Sequence, residues 1–214
     1  MNLKQAIEKV KTDSKKRNFV QSLELIINFK KIDFKKPENR INVTAVLPKG
    51  RGKKIKVAAI VGDELVIEAK KYADKVILKS DLEELKKNKK EAKRIAKHYD
   101  FFIAQTDLMA DVGKILGQIL GPKGKMPRPV PPTAKLEKML EAMQRNILIK
   151  MKGKFLPTVQ SIIGTEEMST DDLVINASSI LDSIKNKLPN REGNIKSVYV
   201  KTTMGKSVRV NELK

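Results

Sequence analysis

Pro48-Lys49-Gly50-Arg51-Gly52-Lys53-Lys54-Ile55-Lys56-Val57-Ala58-Ala59-Ile60-Val61 is where the grammar of the chain changes. Through Lys54 the composition is that of a linker. From Ile55 to Val61 the run is nearly all apolar, as expected of a parallel strand buried on both faces. Upstream, apolar residues alternate instead. Ile41, Val43, Ala45 and Leu47 mark one half-buried strand, and Leu23, Leu25 and Ile27 mark another within Phe19 to Phe29. Leu3, Ala6, Ile7 and Val10, at i, i+3, i+4 and i+7, give a short helix one apolar face. Lys30 to Arg40, polar, basic and broken by Pro37, connects the two strands.

Downstream of Val61, strands and helices take turns. The pattern predicts a helix over Glu64 to Ala73 and a short strand over Lys75 to Leu78. One long charged helix follows over Ser80 to Lys97, with Ser80-x-x-Glu83 as its capping box. Phe101 to Gln105 reads as a buried strand and Asp107 to Leu120 as a helix. Such alternation implies a parallel sheet with right-handed crossovers. Gly121 to Pro132 carries five prolines and reads as irregular. Thr133 then caps a helix with Leu136, Met139, Leu140 and Met143 on one face, ending at Asn146.

Alternation returns at Ile147 to Met151 and Thr158 to Ile163. Ser169-x-x-Asp172 opens a last helix, striped by Leu173, Ala177, Ile180, Leu181, Ile184 and Leu188. Asp171 and Asp172 at its start and Lys185 and Lys187 at its end complement the helix dipole. Val198/Val200 and Val208/Val210 form a terminal hairpin, and both early strands are expected to pair antiparallel with it. The expected fold is therefore an α+β outer domain, an antiparallel sheet with helices in a split βαβ-like arrangement. Into it is inserted an α/β, Rossmann-like, three-layer domain. Residues 1–49 plus 147–214 make the discontinuous outer domain and 50–146 the insertion, with hinges near Lys49/Gly50 and Asn146.

Composition narrows the function. Lys and Arg number 45 against 25 Asp and Glu, a net charge of +20. An excess of this size points to a polyanion, nucleic acid first and an anionic membrane second. No apolar run approaches the ~18 residues of a membrane span, and the start of the chain does not read as a signal peptide. Cysteine is absent, so neither a disulfide framework nor a thiolate metal site is possible. These features place the chain in the cytoplasm. Aromatic residues make up only 4% of the chain, which argues against base stacking as the main binding mode.

The centre of the terminal hairpin holds the densest set of candidate ligand groups. Thr202, Thr203 and Ser207 offer hydroxyls to a phosphate or a ribose 2′-OH. Met204 can lie against a sugar or base, and Gly205 permits close backbone approach. Lys201, Lys206 and Arg209 surround them with positive charge. An ordinary hairpin with a polar tip would look the same in composition. Gly121-Pro122-Lys123-Gly124-Lys125-Met126 invites a phosphate-loop reading but fails it. Position 119 is Ile, position 126 is Met, and the segment follows a helix rather than a strand. A stiff basic loop fits better. His98 reads as a helix C-terminal residue. Of the acidic group Glu166, Glu167, Asp171 and Asp172, the helix start accounts for the last two.

Thr202-Thr203-Met204-Gly205 with Ser207, and Ile119-Leu120-Gly121-Pro122-Lys123-Gly124-Lys125-Met126-Pro127, resemble the two signatures of the L-one family of large-subunit ribosomal proteins. The resemblance covers nearly the whole chain, and composition is similar to the archaeal branch. It implies a two-domain protein, not an enzyme, without cofactor, catalytic residues or metal, and monomeric when free. It implies binding of large-subunit rRNA at the mobile side stalk, beside departing E-site tRNA, and of a stem-loop in its own mRNA as a repressor. By the same resemblance the RNA site comprises Phe19, Ser22 and Glu24 on the first strand beside Lys201, Thr202, Thr203, Met204, Gly205 and Ser207. Lys123, Lys125 and Arg128 would form a secondary basic loop. Asn18 stands where relatives often have Lys. Glu24 near RNA would have to accept from a 2′-OH or a base amino group, since a carboxylate repels phosphate. The competing classes are a nucleotide-dependent α/β enzyme and a non-ribosomal RNA chaperone of the same fold.

Overall fold

The computed structural model describes residues 1–132, 136–151, 153 and 156–212. Within them the helices are α1 (Leu3–Thr12), α2 (Val66–Tyr72), α3 (Lys79–Lys87), α4 (Lys89–His98), α5 (Met109–Leu120), α6 (Leu136–Arg145) and α7 (Thr170–Lys185). The strands are β1 (Ser22–Phe29), β2 (Asn42–Val46), β3 (Val57–Ile60), β4 (Lys75–Ile77), β5 (Phe101–Gln105), β6 (Arg128–Val130), β7 (Asn146–Lys150), β8 (Thr158–Thr165), β9 (Ile195–Thr202) and β10 (Val208–Val210). The chain divides into two compact units, residues 1–53 with 145–214, and residues 54–144.

The first unit is built on an antiparallel sheet ordered β10-β9-β1-β8. Alternation along β1 buries Leu23, Leu25, Ile27 and Phe29 and leaves Ser22, Glu24, Ile26 and Asn28 on the other face. Leu23, Leu25 and Ile27 have no exposed surface, and each contributes about 1.5–3 kcal/mol by leaving water. They pack with Val198 and Val200 against Leu3, Ala6, Ile7 and Val10 of α1 and the Leu173–Ile184 stripe of α7. Asn2 opens α1 with a reciprocal capping box. Its side chain accepts from the Gln5 N–H at 2.9 Å while its own N–H donates to Gln5 Oε1 at 3.2 Å. Ser169 caps α7 by accepting from Asp172 N at 3.1 Å, as its spacing predicts.

β2 departs from expectation. Among the described residues it pairs only with β7, in a separate two-stranded ribbon, and not with the terminal hairpin. Both edges of β1 are already filled, by β8 and β9. The ribbon instead adds Ala45, Ile147 and Ile149 to the same core and is held to α7 by Ser179 Oγ, which donates to Val46 O at 2.8 Å.

The second unit is a parallel sheet ordered β4-β3-β5-β6 with helices on both faces. Ala58, Ile60, Phe102 and Ala104 pack with α3, α4 and α5. Val57, Ala59 and Ile103 pack with Leu65, Ala69 of α2 and Leu136, Leu140 and Met143 of α6. The result is the three-layer arrangement expected from the continuous apolar run of β3.

Three local expectations in this unit need correction. The single helix over Ser80 to Lys97 is two, broken at Asn88, whose side chain accepts from Glu91 N at 3.2 Å and starts α4. Asn competes with the helical backbone in this way and favours caps over interiors. The capping contact of α3 runs from Leu78 N to Asp81 Oδ2 at 3.0 Å, not between Ser80 and Glu83. Within Gly121 to Pro132, Arg128–Val130 forms a strand. β6 lies at the sheet edge, where Pro129 need not donate to a further neighbour. Thr133, expected to cap α6, lies outside the described residues.

Candidate nucleic-acid interface

β9 ends at Thr202 and the chain turns over Thr203 to Ser207 into β10. Val208 pairs with Val200 and Val210 with Val198, the register that the two alternating runs imply. Gly205 N donates to Thr202 O at 3.2 Å and closes the turn. A Cβ on Gly205 would stand 2.2 Å from Thr202 Oγ1, so no side chain fits without displacing Thr202.

The candidate residues divide between those that face solvent and those that support them. Thr202 is fully buried, and its hydroxyl meets Ser14 Oγ at 3.2 Å, so it props the turn from beneath. Thr203 is exposed and continues the pairing of β1 with β9. Its N–H donates to Ser22 O at 3.0 Å. Its hydroxyl donates to the same carbonyl at 3.2 Å and accepts from Ser22 N at 3.1 Å, leaving one lone pair facing solvent. Met204 is 61% exposed. Lys201 Nζ donates to Thr203 O at 3.2 Å. Ser207 and Lys206 are exposed.

Ser22 and Glu24 lie half-buried on the outward face of β1, Glu24 in register with Lys201 on one side and Ile162 on the other. Phe19 is not on the strand. It precedes β1 in an exposed stretch, Lys15 to Val20, with Phe19 52% and Val20 48% exposed. The turn, the outward face of β1 and this basic, partly apolar stretch thus belong to one end of the sheet. Ser22, joined to Thr203, and Gln21, joined to Met204, tie them together.

Gln21 was not among the expected residues. Its side chain is buried, and its Oε1 accepts from Met204 N at 3.3 Å. Its Nε2 donates toward Ser14 Oγ at 2.9 Å, Lys15 O at 3.1 Å and Glu166 Oε2 at 3.2 Å. The Glu166 carboxylate also accepts from Gln21 N at 2.9 Å, and Glu166 N donates to Gln21 O at 3.0 Å. Lys11, whose Nζ donates to Met168 O, lies close enough to Glu166 to feel its charge. Burial nevertheless holds the Lys11 ammonium below its ordinary value. Sequence carried a signal for Gln21: it shares the phase of Leu23, Leu25 and Ile27, a polar residue where the alternation requires a core-facing one.

In the second unit, Lys123 is exposed and Arg128 half-buried on β6. Lys125 donates to Tyr99 O at 2.6 Å and Ala96 O at 3.2 Å, the free carbonyls at the end of α4. Desolvation pushes its ammonium below the ordinary value, against the pull of Asp100. Gly124, at φ 67°, closes α5: its N–H donates to Gly121 O at 2.9 Å and Lys125 N to Leu120 O at 3.0 Å. That bonding is a Schellman cap, which accounts for the Gly124-Lys125 pair without a phosphate.

A model of the Ribosomal protein L1p/L10e family matches residues 7–206. The large ribosomal subunit protein uL1 of Methanothermobacter thermautotrophicus is 45% identical over 207 residues, 96% of this chain and 97% of that protein. The protein of the same name from Thermococcus kodakarensis is 44% identical over 209 residues, 97% of this chain and 96% of its own length. That from Methanocaldococcus jannaschii is 42% identical over 212 residues, 99% and 96% of the two chains.

Proposed function

This chain belongs to the ribosomal protein L1p/L10e family, in its archaeal branch, and from that membership we propose that it is a constituent of the large ribosomal subunit that binds rRNA through its first unit. The observation that carries this reading is the turn at Thr203 and Met204. It exposes a hydroxyl and a large apolar side chain at the end of the sheet, while Thr202 and Gln21 beneath it are hydrogen-bonded. Such a surface is formed before RNA arrives, so little ordering entropy is lost on binding. It suits recognition of RNA shape and 2′-OH groups, with Lys15, Lys16, Arg17, Lys201 and Lys206 attracting the backbone. In the cell the protein works in the cytoplasm on the ribosome. Its rRNA target lies on the mobile side stalk, it assists release of E-site tRNA, and it represses translation of its own mRNA by binding a stem-loop there. It acts as a non-enzymatic, monomeric binder.

Filter binding against fragments of archaeal large-subunit rRNA tests the proposal. One fragment should bind at least about a thousandfold more tightly than random RNA, the scale of a specific nucleic-acid site. Equal affinity for all fragments would leave only a basic protein with no rRNA site. Retention on large subunits through a high-salt wash would separate the ribosomal role from that of a free RNA chaperone.

A further inference from the structure

We propose that Gln21 and Glu166 are positioning residues of the RNA site, a buried polar pair that fixes the backbone of the Thr202–Gly205 turn before RNA binds. The inference rests on the RNA-binding reading of that turn and goes beyond it to residues that touch no RNA. Gln21 lies where three separate segments meet: the loop after α1, the start of β1 and the loop between β8 and α7. Its amide has one satisfactory orientation. Oε1 faces the Met204 N–H, and Nε2 faces the Lys15 carbonyl, the Ser14 hydroxyl and the Glu166 carboxylate. Reversed, its carbonyl oxygen would face two acceptors and its NH2 would face a donor. Glu166 enforces the choice by gripping both the backbone N–H and the side chain of Gln21. Ser14 extends the same network to Thr202 Oγ1.

The consequence reaches the exposed groups through the backbone. Met204 N is held by Gln21, and Thr203 is held by Ser22, the next residue along. Without the Gln21 acceptor, the turn keeps its closing bond from Gly205 N to Thr202 O but loses the hydrogen bond that orients Met204. The buried pair therefore acts on affinity by preorganisation, not by touching the RNA.

Gln21→Met keeps length and apolar volume and removes both hydrogen-bonding ends. Glu166→Gln keeps the shape and removes the charge that sets the Gln21 orientation. In Gln21→Met, cognate rRNA affinity should fall by about tenfold, the worth of one well-placed hydrogen bond, while affinity for random RNA stays level. Amide hydrogen exchange at Met204 should become fast while that of Leu25 and Val200 in the sheet stays slow. Combining Gln21→Met with Met204→Ala should cost less than the sum of the two single losses, because both act through one group. Glu166→Gln should give a smaller loss of the same kind. Thr203→Val run beside them tests the site itself. If Thr203→Val leaves cognate binding unchanged, the RNA site is elsewhere. If Thr203→Val weakens binding but Gln21→Met does not, or does so additively with Met204→Ala and with slow Met204 exchange, the positioning role is overturned and the site stands.

Discussion

Thr203 serves the fold and, in the proposed RNA site, would serve the ligand as well. Its hydroxyl closes the end of the β1–β9 pairing through both backbone groups of Ser22 and keeps one acceptor lone pair toward solvent. Thr203→Val retains the β-branched shape that a strand end prefers and deletes the hydroxyl. Ser22 N then loses its partner, but at an exposed position where water replaces it, so stability should fall by no more than about 0.5 kcal/mol. Cognate RNA would lose a paired group in a desolvated interface, a cost of about 1–3 kcal/mol. Met204→Ala should weaken the cognate complex by a similar amount by removing apolar surface from the interface, again with little change in stability. Paired thermal melts and filter binding check both variants. A melting loss as large as the affinity loss would mean that these residues only build the turn. Glu24 is a different case. It is half-buried in register opposite Lys201, and in the proposed RNA site its carboxylate would have to accept from a 2′-OH or a base amino group rather than face a phosphate.

At the scale of elements, the period of the apolar residues was readable and the partner of each element was less so. The phases of β1, β9 and β10, the stripe of α7 and the capping of α7 by Ser169 follow from spacing alone, because the signal lies within one element. β2 shows the same alternation as β1, yet it pairs with β7. Alternation fixes which face is buried and says nothing of which neighbour fills the edge. The break at Asn88 was hidden because helix-favouring residues flank it on both sides. The pair Gln21 and Glu166 was hidden for another reason: 145 positions separate two groups that meet only through the pairing of β1 with β8. Lys125, expected in a secondary basic loop, has a structural partner that its charge does not announce. Its Nζ satisfies the last carbonyls of α4, a C-terminal cap that opposes the negative end of the helix dipole. Lys125→Met should therefore lower the melting temperature of the second unit, by about 1 kcal/mol of stability for the missing hydrogen bonds, and leave cognate RNA affinity within twofold. Calorimetry of the intact protein with parallel binding assays checks it. A large affinity loss with unchanged melting would return Lys125 to the RNA surface.

At the scale of the whole molecule, the first unit has its own core, sheet and capped helices, and the two connections leave it side by side. Leu47 N donates to Arg145 O at 2.8 Å, and Asn176 in α7 accepts from Lys49 N at 3.0 Å and donates to Gly50 O at 2.8 Å. A chain in which a short Gly-Ser turn joins Lys53 to Arg145 should fold and retain cognate rRNA binding, since no group of the proposed site is removed. Circular dichroism and filter binding read the outcome, and a folded product with only random-RNA affinity would place part of the site in residues 54–144. Salt then separates the two sources of affinity. The net charge of +20 draws any RNA by counterion release, with a logarithmic salt slope set by the number of phosphates neutralised. Lys86, Lys87, Lys89 and Lys90, all exposed around the α3–α4 break, contribute attraction of this kind, screened over about 10 Å at 0.1 M salt. In the proposed site, the hydroxyl of Thr203, the side chain of Met204 and the outward face of β1 would release no counterions on meeting RNA. Rising salt should therefore reduce random-RNA binding more steeply than cognate binding, so that specificity widens. Replacing the four lysines by Gln should flatten the random-RNA slope by up to about 3, near 0.7–0.9 for each phosphate no longer neutralised, and leave cognate affinity at high salt nearly intact. Equal slopes for the two RNAs would mean that charge, not the hydroxyl and apolar surface of the turn, supplies the specificity.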